Sequence, residues 1–172
     1  KELVKGPFFV DPAMADNGAL YPGLGVDIVY GFRKLAREAD WLFPNITEAC
    51  LLTGLKYEAN QTPEFINKLI TELRKITNGN IILTGIEKGD EIGAICIEKE
   101  QITGVLRKKR TPNYHGTGVI FTSICVANIL NNESPKRVLE IATQFICDAI
   151  EETKNDPTHS YGVKFEKLLA KK

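Results

Sequence analysis

The feature that most restricts the fold is an alternation along the first half of the chain. Short apolar runs end at Gly, Pro, Asp or Asn, and residues with helical spacing follow. The run over 6–10 stops at Asp11-Pro12. Residues 27–39 then place Ile28, Val29, Phe32, Leu35 and Ala36 on one helix face. Trp41-Leu42-Phe43 is a second run, stopped by Pro44, and a short helix over 46–52 closes at Gly54, with Asn45 or Thr47 as its cap. Thr62-Pro63 reads as the cap and first turn of a longer helix carrying Phe65, Ile66, Leu69, Ile70, Leu73 and Ile76. Residues 80–84 form a third apolar run. Strands of this kind alternating with helices build a layered α/β fold on a largely parallel sheet.

The second half changes character. Residues 91–98 and 101–108 pair as a hairpin around Lys99-Glu100. An apolar helix over 116–130 follows a Gly-Thr-Gly turn, a helix over 134–153 starts at Ser134-Pro135, and a short one ends the chain over 161–172. Residues 11–25, rich in Gly, Pro, Asp and Asn, read as loop. Three parallel-type strands and a hairpin are few for such a sheet. The chain also opens without Met, so it reads as a fragment or a processed chain.

The length of 172 residues suits one domain. With 22 basic and 22 acidic residues the net charge is zero, which gives no electrostatic reason to expect nucleic acid or an anionic membrane. No apolar run is long enough to span a bilayer, and no stretch reads as a signal peptide. Cys50, Cys96, Cys125 and Cys147 lie in apolar stretches without CxxC spacing, and they read as buried reduced thiols of a cytoplasmic protein.

Four motifs carry chemical potential. The first is His115-Gly116-Thr117-Gly118 before the apolar helix. Glycines let successive N–H groups turn outward, and a helix N-terminus adds free donors and a positive dipole end, a cradle for phosphoryl charge. The second is Asp11 with Asp16 in the loop after the first strand, where two carboxylates can hold a hard cation or simply form turns. The third is Asn45 with Glu48, which either support Mg²⁺ through its waters or form a capping box. The fourth is Thr84-Gly85 at a strand end, where a hydroxyl beside Gly can approach a phosphate or merely close the strand.

In this order the motifs resemble the ribokinase-like superfamily, over about residues 6–130. Within it, Asp11-Pro12-x-Met14-x-Asp16-x-Gly18-x-Leu20-Tyr21 is similar to the pyridoxal/pyridoxamine (vitamin B6) kinases. So is Ala39-Asp40 followed by Pro44-Asn45-x-Thr47-Glu48-Ala49-x-x-Leu52-Thr53-Gly54. The resemblance implies a three-layer sandwich with a mostly parallel sheet flanked by helices, of which residues 1–172 form the C-terminal, ATP-binding part, the N-terminal βα units being absent. It implies ATP-dependent phosphorylation of the 5′-hydroxymethyl of pyridoxal, pyridoxine or pyridoxamine. Asp11, Asp16, Thr84, Gly85 and Thr117 would bind nucleotide, Asn45, Glu48 and Asp11 would serve Mg²⁺, and Gly116, Thr117 and Gly118 would form the anion hole. A monovalent cation and a homodimer belong to the same expectation. Two alternatives remain: a hydroxymethylpyrimidine kinase of thiamin synthesis, and a non-catalytic nucleotide-binding module. The chain departs from the pattern at Val119, where such kinases carry a catalytic Asp. An isopropyl group accepts no proton, so weak kinase activity is expected, with His115 as a possible substitute base. Without the first βα units the chain is expected to need them, or a partner on the same surface.

Overall fold

Three apolar strands set side by side form the parallel half of the sheet. The computed structural model describes residues 5–112, 114–154, 156, 159 and 161–169. Strand β1 (Phe9–Val10) leads to a small antiparallel hairpin of β2 (Ala15–Asp16) and β3 (Ala19–Leu20). Helix α1 (Asp27–Glu38), β4 (Trp41–Leu42), α2 (Ile46–Thr53), α3 (Pro63–Arg74) and β5 (Asn80–Lys88) follow. Then come β6 (Glu91–Glu98), β7 (Gln101–Lys108), α4 (Thr117–Leu130), α5 (Pro135–Thr153) and the single turn α6 (Glu166–Leu169). The main sheet runs β1-β4-β5-β6-β7. The β1–β4 and β4–β5 pairs are parallel, and the β5–β6 and β6–β7 pairs antiparallel.

The layered α/β expectation holds, with a mixed rather than largely parallel sheet. The hairpin expected at 91–108 joins the sheet beside β5 and supplies its antiparallel half. Residues 170–172, at the end of the short helix expected over 161–172, lie outside the described residues. The supposed loop over 11–25 contains the β2–β3 hairpin, turned by Asn17 at φ 49° and Gly18 at φ 80°. Those angles belong to a type I′ turn, which Asn-Gly favours. The signal was in the sequence, but the flanking strands of two residues each were too short to show a period.

Two cores flank the sheet. Ile81 and Leu83 of β5 face a core with Val29 and Ala36 of α1, Ala49 and Leu52 of α2, and Leu69 and Leu73 of α3. Ile82 faces the opposite core, with Phe121 and Cys125 of α4 and Val138, Leu139 and Ala142 of α5. This alternation along one strand, period two, produces the three layers. All four cysteines are buried and free. No helix among the described residues is long and apolar enough to cross a membrane.

Candidate functional site

The C-terminal ends of β1, β4 and β5 open on the same side, the usual place for a ligand in such sheets. Asp11 follows β1, Asn45 follows β4 as the cap of α2, and Thr84 bridges Asn45 in parallel register. Facing them is the start of α4. The resulting cleft, about 420 Å³, is lined by Asp11, Asn45, Glu48 and Thr84 from the sheet side. His115, Gly116, Gly118, Val119 and Thr122 line it from the helix side, and Tyr21 and Tyr161 stand among its walls.

The helix side is built for an anion. α2, α3 and α5 are capped by the side chains of Asn45, Thr62 and Ser134. α4 opens instead on Gly116 with no side-chain cap. Gly116 has φ 82°, the left-handed region that an L side chain occupies only with strain, and a Cβ added there would meet nothing within 4 Å. Gly118 is equally open. Orphan N–H groups at the positive end of the helix dipole therefore border free space. Thr117 turns its hydroxyl back to the Tyr114 carbonyl, 3.4 Å away, and is not among the residues lining the cleft. Val119 is 56 % exposed and lines the cleft with an apolar side chain.

The sheet side is a lattice of committed hydrogen bonds. The Asn45 side-chain Oδ1 accepts the Glu48 N–H at 2.9 Å, and its Nδ2 donates to the Ala15 carbonyl at 2.8 Å. Glu48, 3 % exposed, accepts N–H bonds from Met14 at 2.9 Å and Ala15 at 3.4 Å on Oε1, and from Asn45 at 2.9 Å on Oε2. The capping-box reading of this pair is thus realised, and the same carboxylate also clamps the loop after β1. Burial pushes the Glu48 carboxyl up to about 7, against the opposing pull of its backbone donors. Burial likewise raises Asp11, although a Thr122 hydroxyl and the Ala13 N–H, 3.3 Å away, favour its charged form.

For Mg²⁺ the donor set gives a specific answer. Among the described residues no group of three or more His, Cys, Asp or Glu converges. Asn45 and Glu48 already spend their oxygens on backbone amides. They fit an ion that keeps its own waters, as Mg²⁺ tends to, and not one held directly by protein oxygens.

Most residues expected from sequence meet here: Asp11, Asn45, Glu48, Thr84, Gly116, Gly118 and Val119 line the cleft. Asp16 does not. It sits exposed in the β2–β3 turn, where Oδ1 accepts the Asn17 N–H at 2.8 Å. The Tyr21 phenol is raised first by burial and then by the Asp16 charge. Gly85, at φ 77° in the bulge between Thr84 and Ile86, does not line the cleft either. His115 is exposed and stacks on Tyr161. Sequence reading missed Phe43, Thr122 and Tyr161. Thr122 was in reach, because it follows Gly118 by one helical turn. Tyr161 has no local motif at all.

The model of the Phosphomethylpyrimidine kinase family matches residues 3–163. The hydroxymethylpyrimidine/phosphomethylpyrimidine kinase of Haemophilus influenzae is 28 % identical over 152 residues, 84 % of this chain and 55 % of that protein. Among solved structures, a pyridoxal kinase from Lactobacillus plantarum superposes with a TM-score of 0.85 at 26 % identity, covering 94 % of this chain and 59 % of that one. A putative phosphomethylpyrimidine kinase from Bacteroides thetaiotaomicron, crystallised with pyridoxal, gives 0.86 at 27 % identity, with coverage of 94 % and 59 %. The chain therefore spans between half and two thirds of the length of these relatives.

Proposed function

This chain belongs to the phosphomethylpyrimidine kinase family, and on that premise we propose that it is the nucleotide-binding part of an ATP-dependent kinase acting on the hydroxymethyl group of a planar nitrogen heterocycle. A B6 vitamer is the first reading of that heterocycle. One observation carries the proposal: three adjacent strand ends and the uncapped start of α4 converge on one cleft. In phosphoryl transfer the protein mainly positions groups and stabilises charge. The N–H groups at 116–118 would hold the transferred phosphoryl as the substrate hydroxyl attacks it. Asp11 would lie beside the phosphate chain, with Thr84 touching a phosphate. Magnesium, when bound with the nucleotide, supplies charge neutralisation, and Asn45 and Glu48 would meet it across water. The protein would work in the cytoplasm.

The B6 reading is supported by the Asp11-to-Tyr21 motif and by the pyridoxal in the Bacteroides structure. A hydroxymethylpyrimidine substrate is favoured by the Haemophilus relative. Either way, Val119 leaves the substrate hydroxyl without a proton acceptor at that position, and general-base help is worth roughly 10²–10⁴ in rate.

The test is a turnover assay on the full-length protein as its gene encodes it. It uses MgATP with pyridoxal, pyridoxine, pyridoxamine and hydroxymethylpyrimidine. Wild type should run near background and Val119→Asp should gain about 10²–10⁴-fold, with the highest kcat/KM naming the substrate. A Val119→Asp protein that binds MgATP yet stays inert on every substrate would point to a non-catalytic nucleotide-binding module instead.

A further inference from the structure

We infer that Gln61 is a positioning residue for Thr84: its side-chain amide takes the place of a neighbouring strand beside β5 and holds the bulge that sets Thr84 at the cleft. The inference rests on the nucleotide reading of the cleft, in which Thr84 touches a phosphate. It adds a residue that belongs to none of the four motifs and does not itself line the cleft.

β5 changes its surroundings at Thr84. Before it, Asn80 and Ile81 pair with Trp41 and Leu42 of β4. The Thr84 N–H donates to the Pro44 carbonyl at 3.0 Å, and Thr84 makes an isolated parallel bridge with Asn45. Past that point, among the described residues, no strand continues on this side of β5, while β6 stays paired on the other side as far as Lys88. The β5–β6 register also shifts here. Thr84 faces Ala94 and Ile86 faces Gly93, so Gly85 is an extra residue. Its φ of 77° is that of a glycine-led bulge. The core records the shift. Leu83 and Ile86, three residues apart, pack into the same cluster, although a regular strand returns to one face at every second residue. Bulges of this kind end pairing and re-aim side chains beside a site.

The bulge leaves the Gly85 carbonyl and the Glu87 N–H on the open edge, and Gln61 meets both. Its Nε2 donates to the Gly85 carbonyl at 2.8 Å, and its Oε1 accepts the Glu87 N–H at 3.0 Å. A residue of a neighbouring parallel strand would donate to one group and accept from the other in the same way. The amide is thus one rung of a ladder, supplied by a side chain where β4 has stopped. Its base is fixed, because the next residue, Thr62, caps α3. Without that rung the two backbone groups turn to water, and Gly85 has the conformational freedom to let the bulge relax. Thr84 is the cleft residue bonded to that glycine, so Gln61 acts on the cleft through it.

The experiment is titration calorimetry with MgATP on the full-length protein. Wild type, Gln61→Met, Gln61→Asn, Thr84→Val and the Gln61→Met, Thr84→Val double variant are compared. Methionine keeps the side-chain length without the amide, and asparagine keeps the amide one methylene short. Thr84→Val should weaken MgATP about tenfold, and each Gln61 variant about three- to tenfold. In the Thr84→Val background Gln61→Met should cost no further affinity, while its loss of urea stability persists in both backgrounds. A merely structural role would lower stability without that non-additivity in binding. The inference is overturned if the Gln61 variants bind as wild type does, or if Gln61→Met loses the same affinity with and without the Thr84 hydroxyl. Wild type that binds no nucleotide, or Thr84→Val that binds it unchanged, would remove the reading of the cleft and this inference with it, a result visible before any Gln61 variant is made.

Discussion

Glu48 gathers three backbone amides on one buried carboxylate, and that makes its ionisation a stability variable. Its carboxyl is pushed from 4.5 to about 7, first by burial. Between those values the folded state keeps a proton that the unfolded chain has lost. The contribution of this group is therefore full below 4.5 and declines as pH climbs towards 7. The expected outcome is that wild-type unfolding free energy falls over this range relative to Glu48→Gln, by at most about 3 kcal/mol. Urea denaturation at a series of pH values measures it, and a pH-independent difference between the two proteins would refute it. The sequence showed Asn45 and Glu48 at capping-box spacing but not the reach to Met14 and Ala15, more than thirty residues away. Long-range partners of a buried carboxylate leave no local trace.

At the scale of elements, α4 combines a polar task at its start with an apolar body. Gly116 carries the strain-free left-handed turn, and the space around it is open. A side chain at that φ is strained even in open space, so Gly116→Ala should cost about 1–2 kcal/mol in stability, while weakening MgATP and tripolyphosphate alike by tilting the amides. Calorimetry and denaturant melts on the same variant separate the two effects. An unfolded variant would show that the open space is illusory, and undiminished binding would show that the turn does not hold phosphate. The helix was legible in advance, since Gly-Thr-Gly is followed by twelve mostly apolar residues up to Leu130. The caps Thr62-Pro63 and Ser134-Pro135 were legible too, because their chemistry is local. The placement of Tyr161 was not. Contact between the end of the chain and the start of α4 depends on how α5 packs, and no spacing encodes that.

For the whole molecule, the open edges matter. β1 has only two residues and, among the described residues, one strand neighbour. α4 is apolar on nearly every side, yet Val119 and Leu130 remain exposed. A helix apolar all round is normally covered all round, and an unpaired strand edge invites pairing. Residues 1–172 alone should self-associate as concentration rises, and sedimentation velocity reads this directly. A single species of constant size across a wide concentration range would contradict it. The mixed sheet follows from the same architecture. The hairpin expected from sequence was placed correctly along the chain, but its attachment to β5 is a tertiary choice.

That attachment has a temporal meaning. The β5–β6–β7 meander joins residues close in sequence, whereas β1, β4 and β5 must find one another across intervening helices. Loop closure makes local pairings quick and distant ones slow. The meander is thus a scaffold that can exist first, and the cleft at the strand ends is a late arrival, complete only when the most widely separated parts of the polypeptide have come to rest.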